Sequence, residues 1–190
     1  MHRIAASPLY ERAIAAVADL LTRQRLDYVF AGNVARAAHI GTPVDEGSID
    51  VIATMGPQQM NQVATMASHR GFRVEREEVE ATEELDLIPM HFEDVRVHVL
   101  VASNALYGRM VAEGVVASGQ WPVAGEESGH RPPATGHSIR VPRLEDFALL
   151  LQMSNDVTSL MTLIEAPEFD RGAYNRKLTS IGLRELVVPE

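Results

Sequence analysis

The sequence predicts an α/β fold, a small mixed β-sheet with flanking helices followed by a helical C-terminal part. Three observations carry this. Short apolar runs bounded by glycine, proline and aspartate alternate with helix-spaced stretches through residues 8–111. Val95, Val97, Val99 and Val101 form one apolar face of a strand, with Arg96, His98 and Leu100 on the other. Residues 143–166 and 168–182 then read as helix. This divides the chain into an α/β core over 1–142 and a helical part over 143–190 packed on it.

Each element has a local reason. Ser7 and Pro8 make a helix start, and Tyr10, Ile14, Val17 and Leu21 recur at helical spacing, so residues 8–25 should be helical. Tyr28–Gly32 is a short buried strand ending on glycine, and a short helix follows it, closed by Gly41 and Pro43. Ile49, Val51 and Ala53 alternate with Ser48, Asp50 and Ile52 in a second strand. Pro57 opens a helix that stops at Gly71, with Met60, Val63 and Ala67 inward. Residues 72–80 are half polar, which suits a strand at or near an edge. Two further strands surround a turn at Glu93–Asp94, and Ser103 or Asn104 caps a helix through about Val111. Residues 119–138 are rich in Gly and Pro and contain the single tryptophan, predicting a long loop or a short hairpin. Residues 138–141 read as a strand.

Composition narrows the function classes. The chain has 190 residues, 46% hydrophobic and 23% charged, enough for one full core. It contains no cysteine, which excludes disulfides, thiolate catalysis and thiolate zinc sites. A net charge of −9 argues against bulk attraction to nucleic acid. The N-terminal stretch is broken by Pro8, Glu11 and Arg12 and lacks a signal or membrane run, so a cytoplasmic protein without a membrane partner is expected. Arg171, Arg176, Lys177 and Arg184 give the acidic chain a basic end that could dock a protein partner. The apolar helix over 144–164 is expected to be core, with a dimer contact as the other use.

The chemistry-bearing residues cluster on the predicted strands. Ser48 and Asp50 project from one face of the second strand, and His98 sits beside Arg96 and Leu100 on a later one. Asp50 on a sheet face needs a partner: a metal, water, backbone, or an arginine such as Arg36 or Arg96. A Ser48/Asp50/His98 set would favour a transition metal over magnesium, because imidazole is the softer ligand. His39, His69, His91, His130 and His137 show no metal-ligand spacing. Gly32 is either a strand-end turn or a phosphate-approaching loop, and Asn33 either a phosphate donor or a helix cap.

The order of helix, strand ending on "AGN", short helix, "GSIDVIAT" strand, helix and "VRVHVLVASNALYGRM" resembles the nucleotidyltransferase superfamily. It is most similar to the small bacterial branch of minimal nucleotidyltransferases that includes abortive-infection toxin-like members. The resemblance covers the layout of roughly residues 8–165. It implies a nucleotidyltransferase-like mixed sheet in which a glycine turn approaches nucleotide phosphates. Three strand carboxylates would hold Mg²⁺ or Mn²⁺ with a nucleoside triphosphate. Gly32 matches the glycine, and Asn33 stands where a second Gly or Ser would be. Asp50 matches the second carboxylate and is the one candidate metal ligand of the three; Ser48 and His98 occupy the other two positions. No lysine stands at Leu150, Leu151 or Gln152, where the later helix would carry one.

The resemblance therefore implies a decayed catalytic triad and a non-catalytic role in nucleotide binding or protein interaction, including a homodimer. The alternative is an active enzyme that moves a nucleotidyl group to a protein or RNA acceptor. Asp50 would then act with atypical ligands, and Asp45, Glu46 or Asp86 would swing in for the missing carboxylates.

Overall fold

The structure, a computed structural model, describes residues 1–74, 86–121 and 137–183. Its centre is a parallel pairing of two strands that are far apart in sequence. β2 (Ser48–Ala53) runs beside β5 (Val95–Val101), with Ser48 opposite Arg96, Asp50 opposite His98 and Ala53 opposite Val101. The valine alternation explains this position, because Val95, Val97, Val99 and Val101 are all buried beneath flanking helices.

The sheet has the order β1-β2-β5-β4-β3, and every pairing other than β2–β5 is antiparallel. β1 (Tyr28–Phe30) forms one edge and β3 (Phe72–Arg73) the other, with β4 (Leu87–Phe92) inside it. The edge position expected for the half-polar stretch holds at Phe72–Arg73; residues 75–80 of that stretch lie outside the described residues. Between β4 and β5, Glu93 takes a positive φ of 50° in the tight turn.

Helix α1 (Pro8–Arg23) begins at Ser7 and Pro8, as the sequence predicts, although the Ser7 hydroxyl makes no capping bond. Its inner face, Ile14, Val17, Leu20 and Leu21, is wholly buried. On its polar side Asp19 is 9% exposed and pairs with Arg23 at 2.8 Å and with Arg70 at 2.6 Å, just past α3 (Pro57–Ser68). That carboxylate joins α1 to the end of α3. Helix α2 (Gly32–Ile40) closes at Gly41, whose φ of 87° satisfies the left-handed C-terminal turn.

Helix α4 (Ala105–Glu113) is capped by Asn104, whose side chain accepts from the Tyr107 N–H. A second, two-stranded sheet follows, made of β6 (Val115–Trp121) paired antiparallel with β7 (His137–Val141). The short hairpin allowed for the Gly/Pro-rich region thus has its flanks in place, while residues 122–136 lie outside the described residues. The strand at Val115 was not expected, since "VVASG" is too short and glycine-bearing to declare itself.

The continuous helix expected over 143–166 is two helices, α5 (Leu144–Met153) and α6 (Val157–Ile164). The break is built by Ser154, Asn155 and Asp156. Asn155 adopts φ 58°, and the Asp156 side chain caps α6 by accepting from Ser159 N–H. Asn tolerates the left-handed region and Asp competes for backbone donors, so a helix-period run of apolar residues still turns here. Helix α7 (Arg171–Ser180) is capped in the same way by Asp170.

One continuous apolar core runs from Ile4 to Leu178 and includes residues of both sheets and of α5 to α7. A carboxylate sits inside it. Asp146 is fully buried, with Lys177 Nζ 2.6 Å from one oxygen and Arg109 Nε 3.5 Å from the other. None of these atoms is aligned for a hydrogen bond, so the attraction is Coulombic, tying α5 to α7 and α4. Removing one member strands the others. Asp146→Ala is expected to lower the unfolding free energy by about 3–5 kcal/mol. Urea denaturation checks this, and Asp146→Ala combined with Lys177→Met should recover part of the loss.

Candidate functional site

The strand register brings the predicted site residues together. Asp50 and Ser48 stand on the same face of β2, and His98 stands directly opposite Asp50 on β5. Ser48 Oγ donates to Asp50 Oδ1 at 2.9 Å, and His98 Nδ1 lies 2.9 Å from the same oxygen. A carboxylate only accepts, so His98 Nδ1 donates this bond and Nε2 is left for another partner. No other partner of His98 is found among the described residues, and the side chain is one-third exposed.

Gly32 completes the group. It heads α2 with φ 47°, and a Cβ there would overlap Asp50 Oδ2. The other face of the carboxylate therefore rests on the glycine. The backbone repeats the link, since Ala31 N–H donates to Asp50 C=O at 2.8 Å. Only glycine satisfies both the positive φ and the close approach. Asn33 does not cap α2; Ala31 holds that position. Its Nδ2 donates instead to Glu46 C=O at 3.1 Å and Ser48 C=O at 3.3 Å. That ties α2 to the loop before β2, where Gly47 has φ 79° and no room for a Cβ beside the Asn33 amide.

Neither arginine considered as a partner for Asp50 pairs with it. Arg36 pairs with Asp156 at the α5–α6 break. Burial pushes the Asp156 carboxyl up, but its bonds to Ser159 and the Arg36 guanidinium outweigh this and hold it below the ordinary range. Arg96 stands opposite Ser48, on the exposed side of β5. Asp45 and Glu46 are exposed, line no part of the cleft and stay outside the Asp50 group. They do lie near Tyr10: burial first, then these two carboxylates, raise its phenol, and Arg96 works in the opposite sense. The Tyr10 hydroxyl donates to Gly47 C=O at 2.8 Å. Asp86 is likewise outside the group, its carbonyl accepting from Val101 N–H.

These residues form the floor of an open cleft of about 720 Å³. The floor is polar: Gly32, Asn33, Ser48, Asp50, His98, Arg36 and Arg96. The rest of the lining is largely apolar, Leu87 and Leu100 from the sheet and a wall of Tyr107, Phe147, Leu150 and Met153 from the helices. Behind the wall His39 stacks on Phe147 at 5.6 Å, and its Nε2 lies 2.9 Å from Pro142 C=O. Burial lowers its pKa, which keeps it neutral. Sequence reasoning reached the floor and missed the wall, because core-type residues carry no mark of lining a cleft. Gly47 was also missed, although "DEGS" before an apolar strand is a recognisable turn signal.

The donor set is a poor one for a divalent cation. Mg²⁺ takes several oxygen ligands in octahedral geometry, mostly carboxylates and phosphates. Here one carboxylate is present, its Oδ1 already accepts two hydrogen bonds, and its Oδ2 rests on Gly32. Among the described residues no group of three or more His, Asp or Glu converges for a metal. The residues present do not fit a two-metal centre. Nor, among the described residues, does any helix have the length and apolarity to cross a membrane.

No family model and no curated protein sequence matches the chain. Among solved structures it is similar to a crystal structure of ANT(2")-Ia in complex with adenylyl-2"-tobramycin, at 14% identity over 81% of this chain and 87% of that one, with a TM-score of 0.45. It is also similar to an antigenic nucleotidyltransferase-like protein from Paracoccidioides brasiliensis, at 10% identity over 84% and 77%, with a TM-score of 0.49. A solution structure of the antibiotic-resistance factor ANT(2'')-Ia is similar at 16% identity over 91% and 84%, with a TM-score of 0.47.

Two outcomes follow from the geometry. Gly32→Ala forces a left-handed alanine against Asp50 and is expected to cost more than about 2 kcal/mol. Thermal unfolding measures the loss, and the imidazole NMR signals of His98 should shift as the carboxylate is displaced. The depressed Asp156 carboxyl contributes stability that is complete above its unfolded pKa of about 3.9 and is lost as pH falls through the lower folded value. Asp156→Asn should therefore flatten the fall in melting temperature below about pH 4, read from melts over a pH series.

Proposed function

We propose that this chain is a nucleotidyltransferase-fold protein with a retired metal centre, which binds a nucleotide in the cleft without transferring it. The observation that supports this most is the engagement of Asp50. Its carboxylate, the one acidic group left at the three motif positions, takes hydrogen bonds from Ser48 and His98. A centre for nucleotidyl transfer must concentrate negative charge to hold cations against a triphosphate. This one has exchanged two acceptors for two donors. The features that support binding are a glycine at the head of a helix, two arginines in the cleft lining and an apolar wall.

A second reading, a protein or homodimer interface, draws support from one feature. Met153, Val157 and Met161 are 58%, 58% and 40% exposed around the α5–α6 break, beside the cleft mouth. Both uses can coexist on one surface.

Nucleoside triphosphates, offered in magnesium buffer and in chelator, are expected to raise the melting temperature, and Arg96→Ala should weaken the effect roughly tenfold in midpoint concentration. Incubation with α-labelled triphosphate should leave no label on protein or RNA acceptors. Label transfer abolished by Asp50→Ala would replace this reading with the active-enzyme alternative. The absence of any nucleotide effect on melting would remove the nucleotide from it.

A further inference from the structure

The misfit between this cleft and a divalent cation has a consequence for the ligand. We propose that the cleft takes phosphate groups in their metal-free form and discriminates against the magnesium chelate. The inference rests on the reading of the cleft as a nucleotide site and specifies which species of nucleotide it accepts.

Donors and acceptors decide which species the cleft takes. A magnesium–nucleotide complex binds a protein through two kinds of contact, N–H donors to phosphate oxygens and oxygen acceptors to the metal or its waters. The cleft floor offers the first kind in quantity. The Arg36 and Arg96 guanidinium groups flank the site, and neither is spent on Asp50. Of the second kind it offers little. Among the described residues the single lining carboxylate, Asp50, already accepts from the Ser48 hydroxyl and the His98 ring, and its far oxygen lies against Gly32.

Electrostatics point the same way. Arg36 and Arg96 line the cleft beside Asp50, bringing two cations to one place in a chain whose net charge is −9. Asp156, which is not among the lining residues, pairs with Arg36 and holds it at the cleft. A free triphosphate brings its full negative charge to these guanidiniums. Its magnesium chelate brings two units less, together with a hydrated cation that the arginines repel and no free carboxylate attracts. His98 stands where a metal-binding carboxylate would otherwise be. It holds Asp50 in place of a cation and leaves its other nitrogen to the cleft.

The test is direct calorimetric titration of the full chain with three probes: ATP in chelator, ATP in excess magnesium, and inorganic tripolyphosphate in chelator. Manganese alone is added in a fourth arm, read by paramagnetic broadening of the His98 imidazole signals. The expected result is binding of ATP and of tripolyphosphate in chelator, an affinity for ATP weaker by roughly tenfold or more in magnesium, and no manganese broadening. Ser48→Asp with His98→Asp should reverse this order, making ATP binding magnesium-dependent and giving manganese a site.

Binding of ATP only with magnesium, or manganese broadening in the unaltered chain, overturns the metal-free inference and keeps the nucleotide reading. Tripolyphosphate bound in chelator without ATP overturns the nucleotide reading and keeps the phosphate inference. Silence from all probes overturns both. Should the double variant not fold, Arg96→Ala decides the same point, since it should erase the preference for the metal-free form.

Discussion

The approach of Asp50 to Gly32 is the constraint on which the rest of the site depends. A carboxylate pressed onto a glycine leaves no space for a side chain there, and the glycine's φ of 47° adds to the preference for glycine. The backbone bond from Ala31 to Asp50 closes the same junction from the other side. Because Asp50 lies opposite His98 in the parallel β2–β5 register, the junction also fixes where the histidine stands. A shift of one residue in that register would turn Asp50 into the buried side of the sheet, where Ile49 and Val51 now pack. The apolar face of β2 and the polar site on its other face are thus one structural fact.

Around this junction the scaffold holds its helices with ion pairs rather than with apolar contacts alone. Asp19 joins α1 to Arg70, Arg36 joins α2 to Asp156 at the α5–α6 break, and Asp146 joins α5 to Lys177 and Arg109. Buried pairs of this kind contribute little net stability, since desolvation offsets most of the attraction. Their effect is on orientation. Asp156 both caps α6 and anchors Arg36, so the break between α5 and α6 places a cation at the cleft. The Asp146 group works at the opposite end of α5 and holds that helix, and with it the apolar wall carrying Phe147 and Leu150, against the core. Gln152, at a position where the resemblance expects lysine, accepts instead from the Tyr174 hydroxyl, whose pKa burial pushes up to about 12. That side chain is given to helix packing.

Much of the fold was legible because burial imposes a period. The valines of β5, the inner face of α1 and the Ser7–Pro8 start announce themselves through spacing alone. The α5–α6 break was not legible in the same way. Apolar residues keep their helical spacing across it, and only Asn155 and Asp156 signal the turn, two residues that also occur on exposed helix faces. In the site, Ser48, Asp50, His98 and Gly32 were readable from strand alternation and from the glycine. Their hydrogen bonding was not. Sequence left a metal, water, backbone or an arginine such as Arg36 or Arg96 as partners for Asp50, because each satisfies a lone carboxylate on a sheet face. It is the sheet register, a property of two strands 48 residues apart at this pair, that selects histidine instead. The apolar wall was illegible for a more general reason: a leucine facing a cleft and a leucine facing the core obey the same periodicity.

The two departures at the motif positions make physical sense only as a pair. Three carboxylates crowded around one point repel one another unless a cation sits among them, and without it at least one must take up a proton. In the reading proposed for this chain, a site that no longer gathers cations would relieve that repulsion by exchanging acceptors for donors. Ser48 supplies a hydroxyl donor and His98 a ring N–H, and both are directed to the same oxygen of Asp50. Either substitution alone would leave two carboxylates facing each other across β2 or across β2 and β5, with one hydrogen bond between them to offset the charge. Together they leave a single carboxylate with two donors, which is self-sufficient without a metal. In the reading proposed for this chain, Asp50 persists because it has become structural: it satisfies Ser48 and His98, packs on Gly32, and so preserves the turn that presents the head of α2 to the cleft.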